Sequence, residues 1–274
     1  MMTRHKLYQF LLLALSLLPL GLVAGPIFDA HLHYDAADAR VLDARAVIEI
    51  FDRNDIRYAV VTGAPSSHAR QLYGYAPERI VPLLGVYRDH ADKADWHDDA
   101  SLPSYVETEL EQGVWQGVGE LHLFAKDRHS PVFRRIVEIV SSRQLPMLVH
   151  GDPAVIDTVF DIAPKMKLIW AHAGTFPYPD LIADYLQRYP AMIIDLSMRE
   201  ERIAPQGRLD DAWYELFVTH PDRFMVGVDT YSLSRWQQFD AASERIRDWL
   251  SQLPDDVARR LAYENAARFF NKSE

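Results

Sequence analysis

Beyond residue 26 the chain is punctuated by short apolar runs, each separated from the next by a helical pattern or a polar loop. The runs predict strands at Ile27–His33, Arg57–Thr62, Ile80–Val86, Gly117–Leu121, Pro146–His150, Leu168–His172, Met192–Leu196 and Met225–Asp229. Tyr58-Ala59-Val60-Val61 shows no polar alternation, the pattern of a parallel strand covered on both faces. Between the runs the period changes from 2 to 3.6. Val41 to Arg53 places Val47, Ile48 and Phe51 on one helical face. Ser130-Pro131 is a capping residue followed by proline at the first helical position, ahead of Val132, Phe133, Ile136, Val137 and Val140. Leu181, Ile182, Tyr185 and Leu186 form a later apolar stripe, and the polar stretch from His90 to Leu102 reads as an irregular loop.

Alternating strands and helices imply a parallel sheet. Eight such units in one compact length favour a closed (β/α)8 (TIM) barrel, an α/β fold in which residues 25–274 form a single domain. Ahead of it, Arg4, His5 and Lys6 precede the apolar stretch Phe10 to Val23, which ends in Ala24-Gly25. A basic start, a short apolar run and a small-residue end predict a secretory signal peptide over residues 1–24, hence export, in a bacterial cell to the periplasm. An uncleaved membrane anchor is the alternative; the run falls short of the roughly 20 apolar residues a span prefers. Its removal leaves roughly 250 residues, the usual size of one barrel.

Composition narrows the chemistry. The chain of 274 residues has a formal net charge of -10 and no basic run beyond its N-terminus, which argues against nucleic acid as a partner. It contains no cysteine, so disulfides, thiolate ligands and a thiol nucleophile are excluded, and a metal site must use nitrogen and oxygen.

Histidines and carboxylates fall where such a barrel would use them. His31 and His33 end the first strand, two residues apart and therefore on one side. Glu120 ends the fourth, His150 the fifth, His172 the sixth and Asp229 the eighth. The C-terminal ends of barrel strands converge on one mouth. Imidazoles with carboxylates suit a divalent ion, zinc first, with manganese, iron or cobalt possible. Burying six such groups together without a metal would demand extensive compensation. His122 shares the side of Glu120, and Arg199 lies three residues past the seventh strand; both are candidate contacts for a small-molecule substrate. His68, His90, His97, His129 and His220 sit in polar or helix-end contexts that suggest the surface.

His31-Leu32-His33, Gly119-Glu120-Leu121, the two later strand-end histidines and Pro221-Asp222-Arg223-Phe224-Met225-Val226-Gly227-Val228-Asp229 resemble the amidohydrolase superfamily, in its amidohydrolase-related branch. Glu264-Asn265-Ala266-Ala267-Arg268-Phe269-Phe270 is similar to that branch's closing helix. The resemblance implies that His31, His33 and Asp229 hold one ion, with Asp229 also accepting a proton from the attacking water. In two-metal members the fourth-strand carboxylate, here Glu120, bridges, and His150 and His172 hold the second ion. In one-metal members the fifth-strand histidine joins the first ion and His172 orients or deprotonates the nucleophile. The branch commonly carries Gly-Ser-Asp followed by proline on strand eight, whereas this chain has Gly227-Val228-Asp229-Thr230.

The reading is a metal-dependent hydrolase that uses activated water to cleave a C–N, C–O or P–O bond, with Asp229 and His172 as proton carriers. A metal-dependent decarboxylase of the same branch and a phosphodiesterase or nuclease of the related metal-dependent deoxyribonuclease type are the alternatives. A catalytically silent binding protein fits poorly with an intact ligand set. No Gly-x-Ser-x-Gly elbow, phosphate loop, dinucleotide fingerprint or His-Glu-x-x-His occurs.

Overall fold

The computed structural model describes residues 25–273, so the leader expected over residues 1–24 lies outside the described residues. Eight strands run through it: β1 (Ile27–His33), β2 (Ile56–Thr62), β3 (Ile80–Pro82), β4 (Val118–Leu123), β5 (Met147–Gly151), β6 (Leu168–Trp170), β7 (Met192–Asp195) and β8 (Phe224–Met225). After each comes a helix of nine residues or more: α1 (Ala44–Arg53), α2 (Ser67–Tyr75), α3 (Leu102–Leu110), α4 (Pro131–Ser142), α5 (Pro153–Ile162), α6 (Pro179–Arg188), α7 (Asp211–Thr219) and α8 (Phe239–Leu250). Strands β1-β2-β3 form one parallel sheet and β4-β5-β6-β7-β8 a second.

Backbone hydrogen bonds cross both gaps between these sheets. Beyond β3, Leu84 bridges to Val118, with Leu84 N donating to Gly117 O and Gly119 N to Leu84 O, each at 2.9 Å. On the other side, Ala30 N donates to Val226 O (2.9 Å) and Asp229 N to His31 O (2.8 Å).

The helices form where apolar faces and caps coincide. Ser130 Oγ accepts from Val132 N and Phe133 N, and α4 then buries Val132, Phe133, Ile136, Val137, Ile139 and Val140. Each such side chain contributes about 1.5–3 kcal/mol by leaving water; Phe133→Ala would cost about 3–5 kcal/mol. Helix α1 starts at Ala44 rather than Val41, because the Asp43 carboxylate caps Ala46 N and leaves Val41 exposed. Its buried residues are Val47, Ile50 and Phe51, with Ile48 only partly covered.

Several strands are shorter than their apolar runs. Regular pairing in β3 stops at Pro82, which has no N–H to donate. Strand β6 stops at Trp170, just ahead of His172, whose φ of 57° lies outside the strand region, and β8 stops at Met225, after which Val226 N donates to Leu261 O of the closing helix rather than to a neighbouring strand; Asp229, further on, also has φ 57°. The closing run resembling the branch's last helix holds β8: Asn265 Nδ2 donates to Pro221 O (2.7 Å) and Phe224 O (2.8 Å). An apolar groove of about 430 Å³, lined in part by Gly25, Pro26, Arg57 and Arg259, opens near the start of β1, away from the strand ends that carry the histidines. Among the described residues no helix is long and apolar enough to cross a membrane.

Candidate metal centre

Every predicted ligand reaches one cluster, and Glu120 is its hub. Its Oε2 lies 2.6 Å from His122 Nε2, 3.3 Å from His33 Nε2 and 3.7 Å from His31 Nε2. Its Oε1 lies 3.0 Å from His172 Nε2 and 3.1 Å from His150 Nδ1. His31 and His33 turn their Nε2 atoms toward each other at 3.2 Å, as the two-residue spacing on a strand predicts. Asp229 completes the group, 3.5 Å from His33 Nε2 and 3.7 Å from His172 Nε2.

Local backbone makes these approaches possible. Gly119 has φ +141°, and a Cβ there would run into the backbone and Cβ of Leu148, so glycine lets Glu120 enter the interior. His172 and Asp229 hold the left-handed conformation at a cost of about 1–3 kcal/mol each, a kind of strain that concentrates at functional sites. Thr230, where the branch commonly has proline, ties β1 to this turn: its Oγ1 accepts from His33 N (2.9 Å) and donates to His33 O (2.7 Å).

Beneath the cluster lies a second set of polar groups. Asp195, at the end of β7, accepts from His31 Nδ1 at 2.8 Å and from Ser197 Oγ at 2.6 Å. His172 Nδ1 points at Ser197 O (3.2 Å) and Ser197 Oγ (2.9 Å). A carboxylate and a carbonyl can only accept, so both imidazoles carry a proton on Nδ1. Their Nε2 atoms then face the interior, the usual orientation of a metal-binding histidine. Asp29, two residues before His31, accepts from His31 N (3.1 Å) and Val228 N (3.2 Å).

Charge is arranged around this geometry. Burial alone would raise the Glu120 carboxyl, but the His122 and His31 imidazoles and the hydrogen bonds from His122 and His150 hold it well below the usual range. Burial opposes charge on His31 and His172; the carboxylates beside them win and raise both. Asp195 is likewise buried, yet its neighbours His31, His172 and Ser197 hold it at about 2. Asp29 goes the other way: burial, added to by Asp195, pushes it up to about 8 despite its backbone hydrogen bonds. Burial also pushes His122 down to about 4.

The donor set fits a cation. Asp229 Oδ1 is buried without a hydrogen-bond partner and faces His33 Nε2. His172 Nε2, whose ring proton is engaged at Nδ1, faces a carboxylate at 3.0 Å. In a neutral ring that contact sets a lone pair against a negative oxygen, and a positive centre relieves it. Two groups of donor atoms lie within 4.8 Å of one another around Glu120: His31 and His33 with Glu120, and His122 and His150 with Glu120.

Two candidate substrate contacts are engaged within the protein. His122 bonds Glu120 inside the cluster. Arg199 donates to His172 O (2.6 Å) and Gly174 O (3.0 Å), steadying the His172 turn. Of the histidines expected at the surface, His90 and His129 are exposed, whereas His68, His97 and His220 are half-buried by neighbouring loops and helices. Asp195, Ser197 and Asp29 escaped the sequence reading. Their signal was present: Asp29 extends the His31/His33 alternation by one step, and Asp195 ends an apolar run as the ligands do.

A mouth built this way is that of a metal-dependent hydrolase. The chain belongs to the amidohydrolase family, whose profile matches residues 28–272, and is an enzyme of that class. No curated protein sequence matches it. Among solved structures it is similar to the probable 2-pyrone-4,6-dicarboxylic acid hydrolase of Acinetobacter baumannii, crystallised with citric acid, at 13% identity and a TM-score of 0.63, covering 89% of this chain and 99% of that one. A Pseudomonas putida protein given the same provisional assignment matches at 12% identity and a TM-score of 0.65, covering 90% and 97%. A TatD-family hydrolase of Entamoeba histolytica matches at 9% identity and a TM-score of 0.60, covering 91% and 99%. At these identities the likeness is one of fold.

Proposed function

We propose that this enzyme hydrolyses a C–O, C–N or P–O bond of a small molecule at the mouth of one closed (β/α)8 barrel, the hydrogen-bonded seams joining its two sheets. His31, His33 and Asp229 would hold a divalent ion, zinc first among the candidates, and Glu120 would be a further donor. The observation that carries this reading is the buried, unpartnered Oδ1 of Asp229 facing His33. When bound, such an ion polarises a carbonyl or phosphoryl oxygen and lowers the pKa of water from 15.7 toward about 7.

The protein's own groups supply the rest. Asp229 accepts the proton of the attacking water. His172, its Nδ1 proton tied to Ser197 O, presents Nε2 between Glu120 and Asp229, where it passes that proton to the leaving group. Asp195 holds His31 in the tautomer that leaves Nε2 free. Residues 1–24 direct export, and the enzyme acts on small molecules outside the cytoplasm.

The test is to assay metal-depleted and zinc-reloaded protein against lactones, amides, phosphoesters and aromatic carboxylates. Lactones head the panel because the fold is shared with assigned pyrone hydrolases. Hydrolysis that requires reloading and falls about 10²–10⁴-fold in Asp229→Asn supports the reading. Carbon dioxide release from an aromatic carboxylate, without hydrolysis of any other class, would replace it with the decarboxylase reading.

A further inference from the structure

The Asp229 carboxylate is aimed through its backbone. Its Oδ1 has no hydrogen-bond partner, and its Oδ2 lies 3.7 Å from His172 Nε2, beyond hydrogen-bond reach. The residue holds a left-handed conformation (φ 57°), which persists only where the surroundings over-determine it. Bonds to β1 supply part of that hold: Asp229 N donates to His31 O at 2.8 Å, and Val228 N to Asp29 Oδ1 at 3.2 Å.

Arg235 supplies the rest. Ser232 Oγ accepts from Arg235 N and starts the short helix Leu233–Gln237, whose Trp236 stacks on Phe239 of α8 with ring centroids 5.8 Å apart. The Arg235 side chain then returns toward the end of β8. Its Nε donates to Val228 O at 3.0 Å, while its Nη2 donates to Glu200 Oε1 at 2.6 Å. A guanidinium presents these donors in one rigid plane, so the carboxylate that holds one arm also aims the other. Both side chains are buried, at 8% and 10% exposure.

Val228 O and Asp229 N belong to one planar peptide group, which is thus held at both polar atoms, by Arg235 and by His31 O. Rotation of that plane would swing the Asp229 side chain away from His33. Glu200 also follows directly on Arg199, which holds the carbonyls of His172 and Gly174. One stretch after β7 therefore braces both left-handed turns, at His172 and at Asp229.

We infer that Arg235, aimed by Glu200, is a positioning residue for Asp229: it fixes the preceding peptide so that the carboxylate meets the ion. The inference rests on the metal-centre reading above.

The experiment measures Zn²⁺ affinity of the metal-free full chain by chelator competition, with Co²⁺ visible absorption reporting the geometry around the ion. Arg235→Lys keeps the charge beside Glu200 but lacks the planar fork. Arg235→Met combined with Glu200→Leu leaves no unpaired buried charge, so it separates aim from stability. Val137→Ala, on the buried face of α4, is the control for lost stability alone. Both Arg235 variants should keep wild-type circular dichroism, bind zinc about 10-fold or more weakly and shift the Co²⁺ bands. Val137→Ala should melt at lower urea and keep the wild-type affinity and spectrum. A folded double variant with wild-type zinc affinity and Co²⁺ spectrum overturns the inference, as does a loss in Val137→Ala equal to that in Arg235→Lys. Where the double variant does not fold, Arg235→Lys decides by the same criteria. A wild type that binds neither metal removes the metal-centre reading and the inference together; wild-type binding with indifferent variants removes the inference alone.

Discussion

Asp195 offers the sharpest test of how this site is prepared. Its Oδ2 accepts from His31 Nδ1 and Ser197 Oγ, and its Oδ1 accepts from Ser197 N at 2.9 Å. Asp195→Asn keeps the shape and removes the charge, but an amide offers one acceptor and one donor face. Whichever way it turns, an NH₂ is set against a group that must donate. If that group is His31, the ring shifts its proton to Nε2 and its lone pair leaves the interior. Removing such a partner typically weakens metal binding 10–100-fold, or about 1.4–2.7 kcal/mol. A stability loss accompanies it. A carboxyl held at about 2 instead of its ordinary 3.8 contributes about 2.5 kcal/mol, present above the unfolded pKa and lost as pH falls toward 2. Zinc titration by competition with a chromophoric chelator reads the first quantity, and urea melts at pH 7 and pH 3 read the second. An unchanged zinc affinity in a folded Asp195→Asn protein would refute the tautomer argument.

Other outcomes follow from the same geometry. Asp29, held at about 8 when folded, keeps a proton that it loses on unfolding, so wild-type stability falls as pH rises between about 4 and 8. Asp29→Asn removes that slope: its melting temperature should match the wild type near pH 4 and exceed it increasingly toward pH 8, with a ceiling of about 1.4 kcal/mol per pH unit; parallel curves would count against a protonated Asp29. Gly119→Ala places a methyl group against Leu148 at a φ suited to glycine, and should lose about 2–5 kcal/mol in denaturant melts. Saturating metal at about 100 times its Kd should add about 2.7 kcal/mol, raising the melting temperature by roughly 5–10 °C, and a chelator should reverse it.

The proposed ligands were legible because each one interrupts or ends an apolar run, and a polar group there has few other uses. His31, His33, Glu120, His150, His172 and Asp229 all reach the cluster for that reason. The supporting groups were harder to see. Asp195 also ends a strand, but its importance lies in a bond to a histidine 164 residues away, which no local pattern encodes. Arg199 read as a candidate substrate contact, whereas a turn distant in sequence supplies the carbonyls it satisfies. Strand lengths at β6 and β8 were overestimated because hydrophobicity continues past the regular pairing, into the left-handed turn at His172 and into a segment whose Val226 N bonds the closing helix instead of a strand. His122 was placed on the correct side; its alignment with His150 depends on register between strands, which is decided by packing.

One consequence concerns orientation. Strand β1 starts at Ile27 and delivers His31 and His33 at its far end, six steps of about 3.3 Å, or about 20 Å, away. Gly25 and Pro26 therefore enter β1 from the floor of the molecule, where the Arg247 guanidinium donates to Gly25 O at 2.9 Å. A purification handle fixed to a resin at that end would leave the face that carries the histidines turned outward, toward incoming solutes.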